Sequence, residues 1–213
     1  MKPSKKESST LDVSSILVEN VDCLDDNIEL QGSNSPFNIT MYLDKNSDET
    51  YFKKFIKATE KVIRSNKDYN QYLDYLREER GLNACTVLHT VESGEALIEL
   101  HHFPFTLYTI CSIVANDLMS KDEKVSTFYL ADKVIQEHFA EYIGFVPLST
   151  TIHELAHLGK ITLLKKNIYG SYLSFFNKYN SFFTDREKEF INKLEVTKKI
   201  NIDDNVVALL ENK

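Results

Sequence analysis

Six histidines occur in the 213 residues, and four of them fall in two tight groups, His101-His102 and His153-x-x-x-His157. Imidazole is the commonest metal ligand and the side chain best suited to proton transfer near pH 7. Two histidines four apart on a helix share one face, with Cβ atoms about 5–6 Å apart, which is the bite a zinc-like ion asks of two imidazoles. His153 and His157 are therefore expected to be ligands of one divalent ion. His101 and His102 are neighbours in a β-like run. Adjacent strand residues point to opposite faces, so only one of the two can turn toward an ion held by the helix pair.

Two chemistries suit the helix motif. His153-Glu154-Leu155-Ala156-His157 is a literal H-E-x-x-H, in which two histidines hold zinc and the glutamate, here Glu154, acts as general base in peptide hydrolysis. Three features oppose it. Pro147 lies shortly before His153. Thr151-x-x-Glu154 reads as a capping box, which gives Glu154 a structural task, and Gly159 ends the helix after about two turns. A third zinc ligand would have to come from Glu187, Glu189 or Glu195.

The second chemistry uses both histidine groups. Glu99-Leu-His-His-Phe-Pro104, followed by Val146-Pro-Leu-Ser-Thr-Thr-Ile-His-Glu-Leu-Ala-His157, resembles the HNH (His-Asn-His, ββα-metal) nuclease family. The resemblance covers about sixty residues and implies a β-hairpin, a loop and a short helix around one metal. It implies His101, His153 and His157 as metal ligands and His102 as the base that activates water. One ion would then serve phosphodiester hydrolysis of DNA or RNA, zinc first, with magnesium, manganese or nickel as alternatives. Backbone amides at Thr150–Ile152 would meet the phosphate. The sequence departs from the family pattern in three places. The family asparagine falls at Gly144, Ser149 and Ile152 replace the usual cysteines, and a long helical stretch separates strand from helix. The strand end Glu99–Phe105 and the Val-Pro-Leu-Ser start also resemble phage-encoded proteins. A relative that keeps the metal for a structural or interaction role is the alternative function, and a zinc peptidase the second. His138 and His89 read as structural histidines.

These residues need elements to position them. Phe52, Phe55, Ile56, Val62 and Ile63 recur at helical spacing, as do Tyr69, Tyr72, Leu73 and Leu76, with Gly81 closing the second run. Cys85–Val91 and Ala96–His102 read as the two strands of a hairpin around Glu92–Glu95. Helices are expected over Thr106–Met119 and Ser126–Tyr142. A short helix should carry the histidine pair, a strand should follow at Ile161–Leu164, and two amphipathic helices should hold Tyr172, Phe175, Phe176, Tyr179, Phe190, Ile191 and Leu194. The fold class is α+β. Its segments are a disordered tail over 1–12, a β segment with helices over 13–80, an HNH-like core over 81–170 and C-terminal helices over 171–213.

Apolar residues make up 42% and charged residues 27%, as in ordinary globular proteins. The net charge of −7, and −4 over residues 81–170, is not the basic face of a general polyanion binder. Lys160, Lys165 and Lys166 are the nearest basic cluster to the motif, and a solvated surface accounts for them. Three cysteines, Cys23, Cys85 and Cys111, form no C-x-x-C and no even-numbered framework. No apolar run is long enough for a membrane span, and the first ten residues lack a signal-peptide core. The expected location is the cytoplasm, that of the host for a phage protein. Oligomeric state is not legible.

Overall fold

The computed structural model of the chain describes residues 40–88, 94, 96–122 and 124–196. Their order is β1 (Tyr42–Asp44), α1 (Glu49–Ser65), α2 (Lys67–Glu78), β2 (Ile98–His102), α3 (Leu107–Lys121), β3 (Lys124–Ser126), α4 (Thr127–Phe139), β4 (Phe145–Ser149), α5 (Thr150–His157), α6 (Tyr172–Lys178) and α7 (Asp185–Val196). The class is α+β, as expected. The tail over 1–12, most of the β segment before Tyr42, His89 and Cys23 lie outside the described residues.

Four helices start where a short polar side chain takes a free amide of the first turn. Asp48 accepts from Tyr51 N at 2.7 Å and Asn66 from Tyr69 N at 3.0 Å. Thr106 accepts from Thr109 N and Ser126 from Tyr129 N, both at 3.1 Å. Asn66 also ends α1, so one residue sets the corner between α1 and α2. The apolar stripes of α1 to α4 then merge into one core that includes Phe55, Ile63, Leu76, Ile110, Leu130 and Val134. Phe175 of α6 and Ile191 of α7 close it from the C-terminal side. Among the described residues no helix is long and apolar enough to cross a membrane.

The strands form two antiparallel pairs, β1 with β3 and β2 with β4. The second pair positions the histidines. Its register sets Glu99 opposite Leu148, Leu100 opposite Pro147, His101 opposite Val146 and His102 opposite Phe145. Here the expected hairpin is corrected. Among the described residues the partner of β2 is β4, beyond α3 and α4, and Cys85–Leu88, the described part of the expected partner run, is not a strand. The described part of that run lies on the far edge of β4, where Thr86 N donates to Pro147 O at 2.9 Å and the Thr86 hydroxyl to the same oxygen at 3.1 Å. A residue's N and O lie on one side of a strand, so Pro147 turns its donorless nitrogen away from β2 and costs the ladder nothing.

Helix α5 follows β4 without a loop. Its N-cap is Ser149, with no side-chain cap bond, so the capping box expected at Thr151 and Glu154 does not form. The N-cap lies two residues earlier than expected because β4 delivers the chain directly into the helix. Thr150 instead ties back to Leu97 O through its amide, 3.3 Å, and its hydroxyl, 3.4 Å. The helix ends at the expected place, with Gly159 in the left-handed region at φ 66°. Residues Ile161–Leu164 are not a strand. Leu163 fills a small second core with Cys85, Ile98, Val146, Leu148 and Ile152, and the chain then turns at Lys165–Asn167.

Candidate metal centre

The β2–β4 pair separates two environments. On one side Glu99, His101, Val146 and Leu148 face α5. On the other, Leu100, His102 and Phe145 face the main core. Helix α5 seats Ile152, 2% exposed, and the flanks of Leu155 and Ala156 on the small core. Burying one such side chain contributes about 1.5–3 kcal/mol. That docking rotates the neighbouring stripe, His153 and His157, over His101.

The three rings meet. Centroid separations are 4.7 Å for His101–His153, 5.0 Å for His101–His157 and 4.5 Å for His153–His157. One nitrogen from each lies within 4.8 Å of the other two. The Nε2 atoms of His153 and His157 are 2.9 Å apart. On its other side His153 presents Nδ1 to the Glu99 carboxylate. A carboxylate only accepts, so it fixes the proton on Nδ1 and leaves the Nε2 lone pair turned into the cluster. That carboxylate–histidine arrangement is the one that orients metal-bound imidazoles. Burial, followed by the neighbouring rings of His153 and His157, holds the pKa of His101 down at about 4, with Glu99 opposing. His101 is therefore neutral at pH 7, the form a ligand needs. The donor set, three imidazole nitrogens, fits a borderline ion such as zinc, and His157 is exposed at its solvent side.

Glu99 is the residue that sequence reasoning left without a role. The signal was its spacing of two from His101, which places both on one strand face.

His102 is not brought to this cluster. Its Nε2 lies 3.1 Å from His138 Nε2 and 3.3 Å from the Tyr69 hydroxyl, and its ring packs on Phe145 at 4.6 Å. Part of the residue stays open to solvent, yet burial of the ring, followed by the His138 charge, holds its pKa well below the usual range. The position of the family asparagine, Gly144, has no room for a side chain. A Cβ there would stand 2.1 Å from Phe103 O and 2.9 Å from Ile168 Cγ2.

Glu154 is exposed on α5. The carboxylates that a peptidase site would draw on are engaged elsewhere. Glu187 accepts from Thr184 N and hydroxyl at 2.8 Å, Glu189 pairs with Lys193 at 2.7 Å, and Glu195 takes Lys165 and Tyr172. Lys165 is thereby neutralised as well.

A family model of bacteriophage G278-like virion proteins matches residues 2–212. The chain belongs to this family. The phage affinity expected from the strand end and the Val-Pro-Leu-Ser start is borne out, whereas the virion-protein match does not describe an endonuclease. No curated protein and no solved structure matches this virion-family chain.

Proposed function

We propose that this G278-like virion-family protein is a component of the phage particle, and that His101, His153 and His157 hold one divalent ion, zinc first, which fastens α5 to β2. The observation that carries the reading is the convergence of three imidazole nitrogens within 4.8 Å, backed by the Glu99 carboxylate on His153. The centre joins a strand to a helix that holds the small core with the single fully buried side chain Ile152. An ion there closes that junction covalently enough to resist fraying. Free zinc at a thousandfold excess over Kd stabilises by about 4 kcal/mol, a Tm rise on the order of 10 °C for a chain of this size.

The test compares metal content and thermal melting of wild type and His157→Ala, with and without a chelator. The variant should carry one ion fewer per chain and lose the chelator-sensitive part of the Tm. Equal metal content in the two proteins overturns the centre. Peptide mass spectrometry of purified particles should find the chain in the virion.

A second reading, metal-dependent phosphodiester cleavage, is favoured by one observation. The cluster offers three protein nitrogens, one fewer than a closed tetrahedral zinc site, and His157 is exposed, as in sites that activate water. It is weakened by His102, which faces the core and is held by His138 and Tyr69. Cleavage of plasmid DNA by the zinc- or magnesium-loaded protein, lost in His102→Ala with the ion of His101, His153 and His157 retained, would replace the structural reading with this one.

A further inference from the structure

The side of the β2–β4 pair away from α5 holds a second convergence of polar groups. Tyr69 comes from the first turn of α2, His102 from the end of β2 and His138 from the last turn of α4. Tyr69 is 2% exposed and His138 0%. The His138 ring stands edge-on to Tyr69 at 5.1 Å and to His102 at 5.4 Å.

The protons of this trio cannot all be placed. His138 Nδ1 lies 2.7 Å from Val134 O, and a carbonyl only accepts, so Nδ1 carries the proton and Nε2 presents a lone pair. That lone pair faces His102 Nε2 at 3.1 Å. If His102 Nε2 carries a proton, it donates to His138, and the Tyr69 hydroxyl, 3.3 Å from the same nitrogen, keeps a proton for which the described residues offer no other acceptor. If His102 Nε2 instead accepts from Tyr69, two imidazole lone pairs face each other at 3.1 Å. Either arrangement leaves a buried polar group unmet, at about 1–3 kcal/mol. A cation at the centre of the three atoms removes the conflict. The two spacings that meet at His102 suit one: metal–nitrogen bonds of about 2.0–2.1 Å in a tetrahedral site set ligand atoms ~3.3 Å apart, against 3.1 Å from His102 to His138 and 3.3 Å from His102 to Tyr69.

We propose that Tyr69, His102 and His138 form a second metal-binding site, independent of the first centre, for a transition-metal ion of the imidazole-binding kind. The ligands are Nε2 of both histidines and the Tyr69 oxygen as phenolate. On binding, the Tyr69 phenolic proton leaves to solvent, while His102 keeps one proton, on Nδ1. The Arg64 cation, which lies near enough to lower the His102 pKa, is balanced by Glu60 at 4.0 Å. The ion joins α2, β2 and α4, three elements of the main core, just as the first centre joins β2 and α5. One β-strand then carries ligands of both ions on its two faces.

The experiment is zinc stoichiometry by elemental analysis after stripping and equilibrium dialysis against zinc, with far-UV circular dichroism as the fold control. Wild type should hold two ions per chain. Tyr69→Phe and His138→Gln should each hold one, as should His157→Ala, and His157→Ala combined with Tyr69→Phe none. Loading with ferric ion should give a visible phenolate-to-iron charge-transfer band in wild type and in His157→Ala, absent in Tyr69→Phe. Tyr69→Phe removes one oxygen only, so it decides the matter even where His138→Gln fails to fold. If Tyr69→Phe holds as many zinc ions as wild type and shows the same ferric band, the second site does not exist. A single ion lost in Tyr69→Phe and kept in His157→Ala would support the second site and sink the first.

Discussion

Acid should unfold the metal-stripped protein in part through His138. The residue is 0% exposed, and its Nδ1 proton is committed to Val134 O. Burial holds its pKa down at about 4 against an ordinary 6.5. The unfolded chain therefore takes up a proton near pH 6.5 that the folded chain refuses until about pH 4. The unfolded state binds more protons throughout that window, so stability is intact above 6.5, shrinks as the pH falls, and has lost the full contribution near 4. A gap of about 2.5 units, at 1.36 kcal/mol per unit, is roughly 3 kcal/mol. That is a large share of a net stability of about 5–15 kcal/mol. His102, also held low by burial and then by the His138 charge, adds with the same sign. The assay is urea denaturation followed by far-UV circular dichroism, in chelator, at several values between about pH 7 and pH 4.5. Wild type is compared with His138→Leu, which lacks the titrating group. The variant starts less stable, but its curve should fall less steeply, and the two should converge as the pH drops. Parallel curves, within about 0.5 kcal/mol over the window, would refute the argument that burial of His138 is linked to folding.

Four other outcomes follow from the geometry. Glu99→Gln keeps the shape but removes the charge behind His153, and zinc affinity at the first centre should fall about 10–100-fold, read by competition with a chromophoric chelator. Gly144→Asn, which would supply the asparagine of the HNH pattern, should instead destabilise by about 3 kcal/mol or more, because its Cβ meets the Phe103 carbonyl at 2.1 Å; a urea melt checks it. Ile152→Ala should cost about 2–5 kcal/mol and loosen α5, so that zinc binding weakens in the same variant; calorimetry with zinc reads both effects. Lys178→Met leaves the Glu137 carboxylate, 7% exposed, with Tyr179 at 2.9 Å as its remaining partner. The cost should be about 1–3 kcal/mol, discounted because Lys178 is half-exposed, and an unchanged urea midpoint at neutral pH would contradict it.

Much of the helical layer was legible in the sequence. Residues Phe52–Ile63 and Tyr69–Leu76 gave α1 and α2 through their spacing, and Asp48, Asn66, Thr106 and Ser126 stand where short polar side chains cap helices. The pairing of His153 with His157 was legible for the same reason, since a separation of four on a helix is a local property. The run Ile161–Leu164 misled because an apolar stretch that fills a small core from a loop has the composition of a strand. The hairpin at Cys85 misled because two β-like runs close in sequence suggest each other as partners.

What the sequence determined by itself is whatever the backbone's own periods fix: where the helices run, that His153 and His157 share a face, and that His101 and His102 do not. Only the tertiary structure decided that β2 pairs with β4 across two helices, since the entropy of closing a long loop grows slowly with length and burial then selects the partner. The same choice placed α5 on the Glu99 side of the pair. It thereby set His101 against the helix histidines, a choice that strand alternation alone left open between His101 and His102 and that only the family resemblance had implied, and turned His102 to Tyr69 and His138. Which face of a strand receives a helix depends on where apolar surface elsewhere in the chain must be covered, and no local pattern encodes that.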